Sequence, residues 1–152
     1  NAICIDGGVL YAAGAEKVSG GRWKGVLWKD GQPTYFTEEV GTEVTGLYVK
    51  EGKYIIEGNM TADSGDIVTC IWTEEGVQVI SEGMALCQGP GLAVAGSDIY
   101  VAGNAYDMDY DTYEEIYRSP VWKNGTEMAL EVVSSDNFTV WGLACAFVDT
   151  QE

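Results

Sequence analysis

The sequence predicts an all-β fold, a β-propeller built of four-stranded antiparallel meander blades, with three repeats and one extra strand in this chain. Three observations carry that expectation. The chain repeats itself at spacings of 44–51 residues. Each repeat is punctuated by residues that suit tight hairpin turns. No window of helical periodicity carries caps at both ends.

The period rests on three independent landmarks. Leu-Tyr-Ala-Ala-Gly (10–14), Tyr-Ile-Ile-Glu-Gly (54–58) and Ile-Tyr-Val-Ala-Gly (99–103) end on Gly14, Gly58 and Gly103, which are 44 and 45 residues apart. Trp28, in Val-Leu-Trp-Lys-Asp-Gly, is followed by Trp72 and then by Trp122, in Pro-Val-Trp-Lys-Asn-Gly, at spacings of 44 and 50. Gly46, Gly91 and Gly142 each open a Gly-Leu pair, 45 and 51 residues apart. The longer spacings place an insertion of five residues in 105–117, an acidic, tyrosine-rich stretch. These landmarks set the repeats at about 2–45, 46–90 and 91–141, within a single domain spanning 1–152, and leave an extra strand at 142–149.

Within a repeat the strands follow in order. In the middle one, a strand at 47–50 meets a Glu51-Gly52 turn and returns along 54–58; a third runs over 66–72, turns at Glu74-Glu75-Gly76 and returns along 77–81. The other repeats place Asp6-Gly7-Gly8 and Gly96-Ser97-Asp98 at the first turn. Lys29-Asp30-Gly31 and Lys123-Asn124-Gly125 stand at the last. Asp-Gly and Asn-Gly supply the positive φ angles that a two-residue hairpin turn requires. Between the turns the chain is rich in β-branched and aromatic residues, as strands are. The chain opens on a first strand (2–6) and ends on another (143–148), so Cys4, Val49, Val94 and Cys145 are expected at equivalent positions. The in-phase Trp28, Trp72 and Trp122 read as residues that pack one blade on the next.

The Tyr-Val-Ala-Gly and Trp-Lys-Asn-Gly pair resembles the repeat of secreted β-propeller proteins of gut bacteria, over essentially the whole chain. That resemblance implies an extracellular, cell-surface or periplasmic location and transfers no catalytic residue. The sequence lacks the Trp-Asp dipeptide of WD40 repeats and the in-phase Gly-Gly of kelch repeats. Ser134 to Trp141 is similar to a sialidase Asp-box, but Phe138 stands where its glycine belongs.

Three repeats are fewer than the ~4–8 blades of a closed propeller, and an isolated strand cannot satisfy its own backbone groups. The expectations are self-association into a homodimer that closes a six-bladed ring, membership of a larger protein, or an open stack capped by partners. Asn1 and the missing leader read as a mature or excised segment.

Composition removes whole classes of function. The 24 acids against 8 bases give a net charge of -16, which opposes binding to nucleic acid and to anionic membranes. With no histidine in the chain, Ser-His-Asp and Cys-His nucleophile systems and most zinc sites are ruled out. No apolar stretch approaches the ~20 residues of a membrane-spanning helix. Cys4, Cys70, Cys87 and Cys145 lack Cys-x-x-Cys spacing and read as free thiols. No cofactor is implied, and no catalytic residue is recognised. Glu38-Glu39, Glu74-Glu75 and Glu114-Glu115 read as solubilising surface charge.

The tight turns share one face of such a fold, and the longer segments 15–22, 38–45, 59–65, 82–90, 104–117 and 134–141 share the other. Binding residues concentrate on long loops held by a rigid scaffold. The partner-binding candidates are Tyr106, Asp107, Asp109, Tyr110, Asp111 and Tyr113 of the insertion, with the out-of-phase Trp23 and Trp141. Asp107, Asp109 and Asp111 alternate like the start of a calcium loop, with strand alternation placing all three on one side. However, Thr112 replaces the glycine such a loop needs, and Arg118 stands at its twelfth position. The functional expectation is a non-enzymatic module that presents an acidic, Tyr-rich loop face to a protein or other partner. The alternatives are a carbohydrate-binding or carbohydrate-active propeller using Trp23, Trp141 and loop carboxylates, and a structural segment of a larger surface protein.

Overall fold

The computed structural model describes residues 2–81, 85–86, 91–109 and 111–128; for 85–86, 105–109 and 114–118 it describes the backbone alone. The extra strand at 142–149, Trp141, Tyr110, Cys87 and Cys145 lie outside the described residues. Among those residues the protein is all-β, and its strands form three four-stranded antiparallel meanders, none of which closes on itself.

The first sheet runs β1 (Ala2–Asp6), β2 (Val9–Lys17), β3 (Trp23–Lys29) and β4 (Gln32–Val40), in that order. The second runs β5 (Glu43–Lys50), β6 (Lys53–Thr61), β7 (Ile67–Thr73) and β8 (Gly76–Val79). After the short β9 (Ala85–Leu86) comes β10 (Leu92–Ala95), then β11 (Asp98–Ala102), β12 (Asn104–Asp109), β13 (Glu114–Arg118), β14 (Val121–Lys123) and β15 (Thr126–Met128). The third sheet is β10-β11-β14-β15.

The turns follow from their residues. Asp30 and Gly31 have φ of 46° and 80°, Glu51 and Gly52 54° and 78°, Asn124 and Gly125 51° and 80°. Positive φ at both central positions matches the right-handed twist of the flanking strands. Two of these turns are also tied to a neighbouring strand. The Asp30 Oδ1 accepts from the Leu10 N–H at 3.0 Å, and the Asn124 Oδ1 accepts from the Ile99 N–H at 2.8 Å. Lys123 pairs with Asp98 at 2.7 Å, and Lys123 and Asn124 together hold the Asp98 carboxyl below its usual range.

The sheets pack face on face. Tyr11, Ala13 and Leu27 of the first meet Val49, Ile56, Met60, Cys70 and Trp72 of the second in one apolar cluster. Ile71 of the second sheet and Ile80 just beyond it meet Val101 and Trp122 of the third in another. Strand register shows why the tryptophans recur. Ile3, Ala12, Trp28 and Pro33 stand opposite one another across the first sheet, as Leu47, Ile56, Trp72 and Val77 do across the second. Leu92, Val101, Trp122 and Glu127 repeat the row in the third. Trp72 is therefore buried against the preceding sheet, with the Phe36 ring edge-on at 5.4 Å, and Trp122 is buried in the same way. Trp28 occupies the equivalent place on the outer face of the first sheet and is half-buried.

The same register corrects one equivalence. Ile5 pairs with Leu10, Val49 with Tyr54 and Val94 with Ile99, so Ile5, not Cys4, matches Val49 and Val94. The first repeat has no Gly-Leu pair to count from, and a slip of one residue moves a side chain to the opposite face. Cys4 accordingly points toward the second sheet, with its Sγ 4.0 Å from the Val49 carbonyl oxygen. Cys4 and Cys70 are free thiols.

In the third repeat the long strands break. Gly103 and the Ser119-Pro120 step interrupt them, and the Gly103 N–H donates to the Pro120 carbonyl at 3.0 Å. Beyond the break, β12 and β13 form a hairpin that also pairs with β9, a separate three-stranded sheet.

Candidate functional site

The long segments on one face do more than connect strands. After β2, a single 3-10 turn at Ser19–Gly21 reverses the chain, with Gly20 at φ 81°. Lys17 and Trp23 close this hairpin as directly opposed residues. At the far end of β4, Gly41 adopts φ 80°, and a Cβ there would come within 2.5 Å of the Thr61 Oγ1. Glycine is needed at this position for both reasons. The Gly41 N–H donates to the Trp23 carbonyl at 2.7 Å and the Thr42 N–H to the same oxygen at 3.3 Å. That oxygen ties the link between the first two sheets to the start of β3.

A cleft of about 470 Å³ opens where these pieces meet, lined by Ala15, Trp23, Gly41, Thr42, Glu43 and Val44. Its volume lies within the ~300–1,000 Å³ of small-ligand sites. Trp23 is 51% exposed, an unusual degree for so large an apolar side chain. Thr42 and Val44 are buried and form the floor, while Glu43 is exposed at the rim. The Thr42 hydroxyl donates to the Glu39 carbonyl at 3.4 Å.

Comparing the repeats explains why the cleft lies here. At the same level, the second repeat places Asn59 opposite Thr69, with the Thr69 Oγ1 donating to the Asn59 Oδ1 at 3.2 Å. In the third repeat, the Ser119 Oγ donates to the Asn104 Oδ1 at 3.1 Å. The first repeat has Ala15 opposite Gly25. The Phe36 ring occupies the space over Gly25, and Ala15 lines the cleft at the level where the other repeats carry an Asn side chain. On the opposite side of this end of the sheet, the Tyr35 hydroxyl donates to Glu16, which holds the phenol above its usual range. Lys24 bridges the Tyr35 ring and Glu38, at 4.6 Å from the ring centroid and 2.7 Å from the Glu38 Oε2.

The predicted candidates do not converge on one site. Trp23 forms a wall of the cleft. Tyr106, Asp107 and Asp109 belong to β12, opposite Tyr117, Ile116 and Glu114 of β13, and their side chains lie outside what is described. Asp111 and Tyr113 are exposed in the turn, where Tyr113 has φ 58° and 79% exposure. Asp111 has thus left the strand, so the alternation expected of Asp107, Asp109 and Asp111 stops at Asp109. Tyr110 and Trp141 fall outside the described residues. Among the described residues, none from the insertion lines the cleft.

Sequence reasoning missed the wall made by Gly41, Thr42, Glu43 and Val44. One signal was present: small residues at 15 and 25, where the other repeats carry hydrogen-bonding pairs. Comparison with protein-family models, with curated proteins and with solved structures finds no match to the chain.

Proposed function

We propose that the chain is a non-enzymatic binding module of propeller type, which engages its partner through the face carrying its long loops. One observation carries this reading: a ligand-sized cleft with a half-exposed tryptophan opens between the first two sheets on that face. The meander sheets, stacked face on face in chain order, are what consecutive propeller blades look like. The absence of histidine supports a non-enzymatic role, and the resemblance to secreted repeat proteins supports an extracellular, surface or periplasmic setting.

A second feature supports self-association. On the outer face of the first sheet, Ile3 and Ile5 are 77% and 72% exposed, with Leu10 and Tyr35 about half exposed beside them. The equivalents of Ile3 and Leu10 in the other two sheets, Leu47 with Tyr54 and Leu92 with Ile99, are packed against a neighbouring sheet, as is Val49, the equivalent of Ile5 in the second. A further sheet of the same kind, supplied by a second copy or a longer chain, fits that face.

The test is a comparison of two faces. The protein is screened on a glycan array and against a displayed peptide library, alongside Trp23→Ala and Tyr113→Ala on the loop face and Gln32→Ala and Lys53→Ala at the turns. Ligands selected by the parent protein are expected to be lost with the loop-face substitutions and kept with the turn substitutions. The reverse pattern would sink the proposal.

A further inference from the structure

The chemistry around Trp23 narrows the ligand, given that the cleft is a binding site as proposed above. Lys17 stands directly opposite Trp23 across the β2–β3 hairpin, and Arg22 precedes it in the chain. Glu43 lines the other side, and Glu39 lies just before the Gly41-Thr42 link. All four of these charged residues are exposed. Of these four only Glu43 lines the cleft, whose other walls are Ala15, Trp23, Gly41, Thr42 and Val44, so the lining is mostly uncharged although the chain carries -16. For a cationic ligand the lining offers one exposed carboxylate, and an exposed ion pair contributes only about 0–1 kcal/mol. An anionic one would meet Glu43 within the negative field of the whole molecule. A single aromatic wall is also unlike the multi-ring cages that hold quaternary ammonium groups.

We infer that the cleft beside Trp23 binds an uncharged carbohydrate. The exposed indole offers a flat apolar face for the C–H side of a sugar ring. Glu43, in the lining beside the indole, accepts hydrogen bonds from ring hydroxyls. The bonds from Gly41 and Thr42 to the Trp23 carbonyl hold the backbone at this wall before ligand arrives, which limits the ordering cost of binding. Ala15 supplies the room, because an Asn there, as at 59 and 104, would project into the cleft.

The experiment is isothermal titration of the full chain with four neutral hexasaccharides, of the cello-, xylo-, manno- and malto- series. A heparin-derived hexasaccharide and an oligolysine peptide serve as charged probes. Trp23→Ala removes the stacking wall, and Ala15→Asn fills the cleft with the residue the other repeats already accommodate; thermal unfolding checks that both variants fold. The expected result is binding of at least one neutral series, weakened about tenfold or more in both variants, with no binding of either charged probe. Heat from no neutral probe, or neutral binding that both variants keep, overturns the carbohydrate assignment. Oligolysine binding that is lost with Trp23→Ala overturns it too, but leaves the loop-face binding module standing. If the array and library also yield no ligand dependent on the loop face, the module reading itself has failed.

Discussion

Burial acts on Cys70 in a way that its sequence position does not announce. It lies on β7 between the first two sheets, fully buried, and burial pushes its thiol up to about 12 from an ordinary 9.0. Folding therefore favours the protonated thiol. The stability linked to it is complete below the pKa of the unfolded thiol and is lost as pH rises through that value toward about 12. The denaturation midpoint should accordingly fall over this alkaline range, and fall less in Cys70→Ala. At about pH 8, thiol-specific reagents should modify Cys70 only after unfolding, since the thiolate is the reactive form. Mass spectrometry of the labelled protein checks this, and modification of native Cys70 as fast as half-buried Cys4 would contradict it. Glu57 is another residue whose setting departs from its type. It is fully buried above Gly46, at a position that is Ala13 in the first repeat and Ala102 in the third. Only Gly46, lacking a side chain, leaves room for its carboxylate.

At the scale of the element, the hairpins show local chemistry and register agreeing. Asn124 is held at φ 51°, accepts from the Ile99 N–H, and donates from its Nδ2 to the Asp98 Oδ1 at 2.9 Å. Asn124→Ala should destabilise the protein by about 1–2 kcal/mol, from the left-handed backbone conformation and the lost side-chain bonds. Urea titration measures it, and a change below about 0.5 kcal/mol would show that the turn is not under this constraint. The turns were legible because Asp-Gly, Glu-Gly and Asn-Gly act within a few residues. The insertion was legible only in part. Its five extra residues marked a longer segment, but the pairing of β12 with β9 is a contact across some twenty residues, which spacing alone does not reveal.

At the scale of the molecule, three sheets stack in chain order and share two apolar interfaces, with Trp72 and Trp122 as the largest side chains in them. The first sheet repeats the same row on a face where Ile3 and Ile5 are open to solvent. In solution the protein should have more than the 16.4 kDa mass of one chain, and Ile5→Asp should return it to that mass. Sedimentation equilibrium decides; a parent protein of 16.4 kDa at tens of micromolar would remove the self-association reading.

By itself the sequence determined the strand class, the four-stranded unit, the turn positions and the three-fold repeat. These depend on side-chain period, on φ preferences and on spacing, all local or cyclic in the chain. It also placed Trp23 apart from the packing tryptophans, because that residue breaks the period. Only the tertiary structure decided which face each row presents, that Ile5 and not Cys4 matches Val49, and that Ala15 and Gly25 leave a cleft whose far wall comes from 41–44. The reason is physical. A face is set by register, where one residue of slip inverts every side chain, and a cleft is the space left between elements that pack. Neither is a property of any single stretch of chain.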